Sequence, residues 1–221
     1  MPRHLLWHNA SRDQPDKDAR LVDFNNTWQT HMTDKATRER IIEAADQLFY
    51  QQGFEQTSFS DIADAVQISR GNFYYHFKSK DDILQAVIAA RMARVEQMLT
   101  QWEAELAQPY ERILRYIDIL ITNQAHIKKF GCPTGSLCTE LAKLRHASQT
   151  EANALLVIYR TWLIKQFTLL GHRADATALA MHLIARGQGI ATLANVFHDE
   201  KFLQQEVQQL REWLKTIAPH K

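Results

Sequence analysis

The stretch "ISRGNFYYHFKSK", Ile68–Lys80, decides how this chain is read. Four aromatic residues, Phe73, Tyr74, Tyr75 and Phe77, stand beside Arg70, His76, Lys78 and Lys80, and none of the thirteen residues is Asp or Glu. The whole chain of 221 residues carries a formal charge of only +1, so these cations are gathered locally rather than spread. Ser69 can cap a helix, because its hydroxyl can accept from the free amides at Gly71 or Asn72, and Ser79 can cap another starting at Lys80. The spacing therefore predicts one short helix between two caps.

Upstream, Ile41, Ala44, Ala45, Leu48 and Phe49 recur at helical spacing and predict a helix over 37–52, with Gly53 where a left-handed cap is wanted. Ser58 is followed three residues on by Asp61, a capping-box spacing, and Ile62, Ala63 and Val66 then mark one face of a helix ending near Val66. Two short helices joined by "VQIS" meet the description of a helix-turn-helix, whose second helix enters the DNA major groove N-terminus first. Arg70, Gly71 and Asn72 would lead. Arg can bond guanine and Asn adenine in bidentate fashion, and Gly lets the backbone approach base edges. Tyr74 lies one turn beyond Arg70 on nearly the same face, whereas Phe73 is rotated by about 100° and can anchor inward against Ile62 and Ile68. Tyr75, His76 and Lys80 sit where hydroxyl, imidazole and ammonium donors suit phosphate oxygens, as do the amides of a helix beginning at Lys80.

The run Thr37–Leu84, "TRERIIEAADQLFYQQGFEQTSFSDIADAVQISRGNFYYHFKSKDDIL", resembles the N-terminal domain of the TetR family of bacterial transcriptional regulators along its length. The resemblance implies an all-α fold: a three-helix DNA-binding domain followed by a helical ligand-binding and dimerisation domain. It also implies base-facing positions for Arg70, Gly71, Asn72 and Tyr74, and phosphate-facing ones for Thr57, Ser58, Tyr75, His76 and Lys80. One departure is Gln67, where the family usually has Gly. That places a non-Gly residue in or near a left-handed conformation, at a cost of about 1 kcal/mol.

Composition agrees with an all-α domain of ordinary size. The chain is 45% hydrophobic and 23% charged, with only seven Gly and five Pro. Two cysteines, Cys132 and Cys138, cannot form a disulfide framework and lack paired metal-ligand spacing, so a reducing, cytoplasmic setting and no metal or cofactor are expected. No run approaches eighteen apolar residues, which argues against a membrane span. Residues 1–31 scatter four Lys or Arg, four Asp and three His without an apolar period, and read as a flexible extension ahead of "MTDKATRERII" at Met32. The expected divisions are 1–31, a DNA-binding domain over 32–79, and a regulatory domain over 80–221. Across 32–80 six Lys and Arg face seven Asp and Glu, so affinity should come from a few placed contacts doubled by symmetry rather than from a broad basic field.

Beyond residue 80 the periodicity predicts helices over roughly 80–107, 110–129, 135–147, 149–170, 175–197 and 200–217, broken at Pro109, "FGCPTG", "GHRAD" and "HDE". The last two carry small residues (Ala178, Ala185, Gly189, Ala191) and an apolar series ending in Trp213, Leu214 and Ile217, and are expected to form a homodimer interface. A two-fold dimer would require a palindromic, inverted-repeat operator in double-stranded DNA. The family resemblance implies a small-molecule effector pocket between 80 and 170, for which Met98, Trp102, Tyr116, His126, Tyr159, Trp162 and Phe167 are candidates. The expected function is a dimeric repressor released by its effector. An alternative gives Cys132, just ahead of a helix N-terminus, a redox or electrophile-sensing role. An enzyme is disfavoured by the lack of HExxH, GxSxG, P-loop or GxGxxG motifs. A sequence-indifferent DNA organiser is disfavoured by the charge balance.

Overall fold

The computed structural model describes residues 24–218, with side chains from residue 34 onward, so most of the 1–31 extension lies outside the described residues. The remainder is helical: α1 (Phe24–Gln52), α2 (Phe59–Val66), α3 (Arg70–His76), α4 (Lys80–Glu105), α5 (Pro109–Thr122), α6 (Gln124–Phe130), α7 (Pro133–Leu144), α8 (Gln149–Leu169), α9 (Ala176–Phe197) and α10 (Glu200–Ile217). Helix α1 opens at Phe24 rather than near Thr37; no Pro or Gly stands between them to stop a helix from propagating backwards once nucleated. By packing, the described residues up to Ala36 form one unit and those from Thr37 onward another.

The apolar side chains of the second unit gather into two cores. The first joins Ile41, Ala45 and Phe49 of α1, Ile62 and Val66 of α2, Phe73 and Phe77 of the α3 segment, and Ile83, Leu84, Val87 and Ile88 of α4. Leu137, Cys138 and Leu141 of α7 complete it. The core of the N-terminal head thus runs past residue 79, and part of its floor belongs to the regulatory helices. The second core lies among α4, α5, α8, α9 and α10, around Ile113, Leu163, Phe167, Leu183, Val207 and Leu214.

Local chemistry sets each junction of the head. Ser58 accepts from Asp61 N while its own amide donates to the Asp61 carboxylate, and Ser79 and Asp82 do the same for α4. Gln67 ends α2 at φ 55° and ψ 45°, the left-handed conformation expected where Gly is usual. Arg40 Nη2 donates to Val66 O (2.8 Å), satisfying a carbonyl that the end of α2 leaves open. Gly53, at φ 92°, is required twice over: the conformation disfavours a side chain, and a Cβ there would meet Glu140 Oε1 at 2.9 Å.

Two expectations for the second core are corrected. The helix foreseen over 110–129 is two, because Asn123 turns to ψ 14° and both its amide and its side chain bond Ile119 O, closing α5 before α6 starts. The apolar series of α10 does not form a free interface: Leu203, Val207, Leu210 and Leu214 are at most 1% exposed, packed against α5 and α9 of the same chain.

The strained turn yields a stability test. Gln67→Gly should stabilise the fold by about 1 kcal/mol in urea unfolding, since it removes a left-handed side chain at the cap, whereas Gln67→Val should destabilise it by at least as much. A destabilising Gly would show that the glutamine side chain, not the backbone, matters there.

Candidate functional site

The seven residues of α3 present two faces. Ser69 accepts from Asn72 N (3.3 Å), and Phe73 turns inward to full burial, where its ring meets Phe59 edge-on at 4.7 Å. Arg70, Gly71, Asn72, Tyr74 and Tyr75 are left on the outside. Tyr74 is 51% exposed and its ring stacks on Phe59 at 5.2 Å, so its outward direction is braced from below. A Cβ added at Gly71 would meet nothing within 4 Å. The glycine is therefore not needed for packing, and the space above it is open to an incoming surface. Arginine, asparagine and tyrosine side chains exposed around the N-terminal turn of a fixed short helix can read hydrogen-bonding edges in a groove.

Three of the residues proposed for phosphate contact sit differently from expectation. Thr57 is fully buried, donating to Gly53 O (2.6 Å) and accepting from Gln52 Nε2 (3.2 Å); its hydroxyl closes the turn after α1. Lys80 turns back onto the same turn, donating to Phe54 O (3.0 Å) and Glu55 O (3.3 Å) with its ammonium 4.3 Å from the Phe54 ring centre. Its long stem lets it do so, and two carbonyls plus an aromatic face outcompete bulk water for a partly buried cation. His76 is half-buried, with Nε2 out of solvent and unpartnered among the described residues. Ser58 and Tyr75 remain at the surface, Tyr75 at 66% exposure. The Asp61 carboxyl that shares the Ser58 cap is held below the usual carboxylate range, first by the Ser58 amide.

A cavity of about 420 Å³ opens between the regulatory helices and the end of α1. Met98, Tyr116, His126 and Tyr159 line it, as the sequence reading proposes. Trp102, Trp162 and Phe167 do not line it; they are 7%, 7% and 0% exposed within the second core, where the two tryptophan rings meet edge-on at 5.9 Å. Tyr50, Asn123, Thr134 and Gln188 also line it, and composition alone gives no sign of them. Tyr50 belongs to the head, and Gln188 comes from α9, outside the span expected to hold the pocket.

Among the described residues no Asp, Glu, Lys or Arg lines this chamber. Its phenols stay neutral at ordinary pH: burial pushes Tyr50 and Tyr159 up to about 12 and raises Tyr116 further. The chamber is thus apolar with a few hydroxyl and amide handles, suited to an uncharged organic body.

Cys132 lines the same chamber and caps α7, its sulfur accepting from Gly135 N and Gln188 Nε2, both at 3.4 Å. The approach is close, since a Cβ at Gly135 would meet Gln188 Oε1 at 2.1 Å. Cys138 is buried on α7, its thiol donating to Ala152 O (3.3 Å), and burial pushes its pKa up. That environment holds Cys138 as an unreactive thiol and gives Cys132 no activated partner there.

The segment from Gly131 to Glu140 ties chamber to head. Tyr50 donates to Gly131 O (2.8 Å), and buried Arg91 of α4 donates to Pro133 O (2.7 Å) and to Asp46 Oδ1 of α1 (2.6 Å). Two turns along α7, the Glu140 carboxylate accepts from Phe54 N (3.0 Å) and Glu55 N (2.9 Å), in the turn that Lys80 grips from the other side. Among the described residues no helix is long and apolar enough to cross a membrane, and no His, Cys, Asp or Glu cluster is placed to hold a metal.

Comparison with known proteins agrees with this geometry. A family model described as "Bacterial regulatory proteins, tetR family" matches residues 41–87, the span from α1 into α4 that contains the reading helix. An uncharacterized HTH-type transcriptional regulator in the lacX 3' region of Lactococcus lactis subsp. lactis is 27% identical over 79% of this chain and 91% of its own length. The HTH-type transcriptional repressor DhaR of Mycobacterium sp. strain GP1 is 27% identical over 59% of this chain, which spans 63% of that relative. The crystal structure of a TetR transcriptional regulator from Legionella pneumophila superposes with a TM-score of 0.71 at 25% identity, covering 82% of this chain and 96% of that one. With its capped helix-turn-helix and all-helical remainder, the chain is similar to the TetR family of bacterial regulatory proteins, whose family model matches its residues 41–87.

Proposed function

We propose that the protein is a dimeric, ligand-responsive repressor that reads an inverted-repeat operator with paired α3 helices and releases it when a small molecule fills the chamber. The observation that carries this reading is the exposed set Arg70, Gly71, Asn72, Tyr74 and Tyr75 on a short helix fixed by a buried Phe73. A flexible loop with the same side chains would lose most of their contact energy to ordering; this frame is ordered beforehand.

The dimer surface we assign is not α10 but α8 with α9. Val157 and Leu169 of α8 and Met181, Leu193, Val196 and Phe197 of α9 are large apolar side chains at 42% to 70% exposure. On α9 they alternate with exposed Ala178, Ala185 and Gly189 at helical spacing, so a partner's helices can approach closely. The α8 and α9 pair of each of two copies would make a four-helix contact, setting two reading helices about one DNA turn, 34–36 Å, apart.

Effector and DNA would oppose each other by linkage. An occupant of the chamber presses on Tyr50 of α1, which donates to Gly131 O, and on Cys132 to Thr134 at the start of α7, the helix that carries Glu140. A small shift of that segment moves the turn ahead of α2 and so the tilt of α3. A coupling of about 1 to 3 kcal/mol, some five- to 150-fold in affinity, is enough to release an operator.

On a selected operator, fluorescence anisotropy of Arg70→Ala should show about 1 to 3 kcal/mol of lost discrimination, with binding to random duplex barely changed. Equal loss on both would remove base reading from Arg70. Gly71→Leu should leave thermal stability nearly intact, because the site is open, yet abolish operator binding by filling the approach; retained binding would mean that the groove lies elsewhere. Val196→Glu should yield a folded monomer in sedimentation, and an unchanged dimer would exclude this face.

A further inference from the structure

A second cavity, of about 460 Å³, adjoins the apolar chamber and shares Tyr50, His126, Pro133, Thr134 and Tyr159 with it. Its chemistry is opposite. Its wall includes Glu43 and Asp46 of α1 and Arg91 and Arg94 of α4. The change of character follows one stripe of α4, since Arg91, Arg94, Val95 and Met98 lie at spacings of three, four and seven residues on a single helix face. Arg91 and Arg94 face the second cavity and Met98 the first, with Val95 lining the second beside them. A ligand that occupied both would be apolar at one end and polar at the other, changing near the Tyr50 and Tyr159 rings.

The sign of the polar end follows from the ion pairs. Asp46 is shared, accepting from Arg91 Nε at 2.6 Å and from Arg94 Nη2, so two guanidinium groups stand against one carboxylate. Arg91 is 8% exposed, and each of its three guanidinium nitrogens already donates, to Asp46 Oδ1, Pro133 O and Asp46 O. Arg94 is different: its side chain is 58% exposed, and bonds to Ala90 O and Asp46 leave guanidinium donors to spare. Glu43, the other carboxylate of the wall, is exposed on α1. An ammonium head would meet two guanidinium groups, a carboxylate already divided between them, and only the solvent-exposed Glu43 as a further counter-charge. A carboxylate head would find a planar fork with free N–H groups, the geometry that suits it best.

We propose that the effector is an amphiphilic organic acid, its apolar body in the chamber lined by Met98, Tyr116 and Tyr159 and its carboxylate on Arg94 in the adjoining charged cavity. The proposal rests on the reading of the apolar chamber as the effector site and adds the class of ligand. It also supplies a lever. The acid would compete with Asp46 for Arg94, and Asp46 belongs to α1 while Arg94 belongs to α4, so binding would loosen the ion pair that fastens these helices of the head.

The test is calorimetric titration of the full chain with a naphthyl-substituted butanoic acid and with its methyl ester, which matches it in shape and lacks the charge, repeated on Arg94→Gln. In the unaltered protein the acid should bind about ten- to a hundredfold more tightly than the ester, the range of a charge-assisted hydrogen bond. In Arg94→Gln that advantage should shrink to about twofold or less while ester affinity is unchanged, which also shows the variant folded. An ester that binds the unaltered protein as well as the acid does would overturn the acidic head alone, as would an acid preference that survives Arg94→Gln. Failure of both probes to bind would instead bring down the chamber as the effector site, and this inference with it.

Discussion

Burial of Phe73 is the constraint on which the rest depends. A helix of seven residues has no stability of its own in water, because nucleation costs more than so few hydrogen bonds return. What holds α3 is one aromatic ring taken fully out of solvent, worth about 1.5 to 3 kcal/mol, with a serine cap ahead of it and Phe77 buried just past its end. The same ring fixes rotation about the helix axis. With Phe73 pointing in, Gly71 and Tyr75 fall opposite it while Arg70, Asn72 and Tyr74 flank it, all five exposed, and the stacking of Tyr74 on Phe59 fixes the direction of that ring. The exposed face is the complement of the packing face.

The head does not rest on its own core. Leu137, Cys138 and Leu141 of α7 close it, the Glu140 carboxylate takes two amides of the turn after α1, and the Lys80 ammonium takes two carbonyls of the same turn. A turn with donors and acceptors both spoken for by separate helices follows those helices when they move. Helix α7 begins at the chamber wall and reaches Glu140 two turns later, so a single helix spans the distance between the chamber and the N-terminal head. Bonds from Tyr50 and Arg91 to the start of α7 make that element answer to α1 and α4 as well.

The sequence was most legible where short-range chemistry decides the outcome. The capping box at Ser58 and Asp61, the caps at Ser69 and Ser79, the left-handed Gln67 and the opposition of Phe73 to Tyr74 all depend on residues within a turn or two of each other, and all are found as read. Long-range partners were not legible. Thr57 and Lys80 have phosphate-binding chemistry, but a backbone carbonyl at Gly53 and carbonyls at Phe54 and Glu55 claim it first, and no periodicity announces such a claim. Trp102, Trp162 and Phe167 share the amphipathic stripe of true lining residues; which aromatic fills the core and which faces a cavity depends on how α4 and α8 are rotated against each other. Helix α10 misled for a related reason, since an apolar stripe is the same signal whether it meets its own chain or another.

Two copies of the α3 face, held one DNA turn apart, should select a symmetric site, and the proposed function stands or falls with that selection. Recovery of bound duplexes from a random library by the purified protein, with sequencing of the survivors, tests it most directly. The expected result is enrichment of one inverted repeat whose half-site centres lie about 10 to 10.5 base pairs apart or slightly more. Recovery of unenriched duplexes, or of an asymmetric site with a single half, would contradict it.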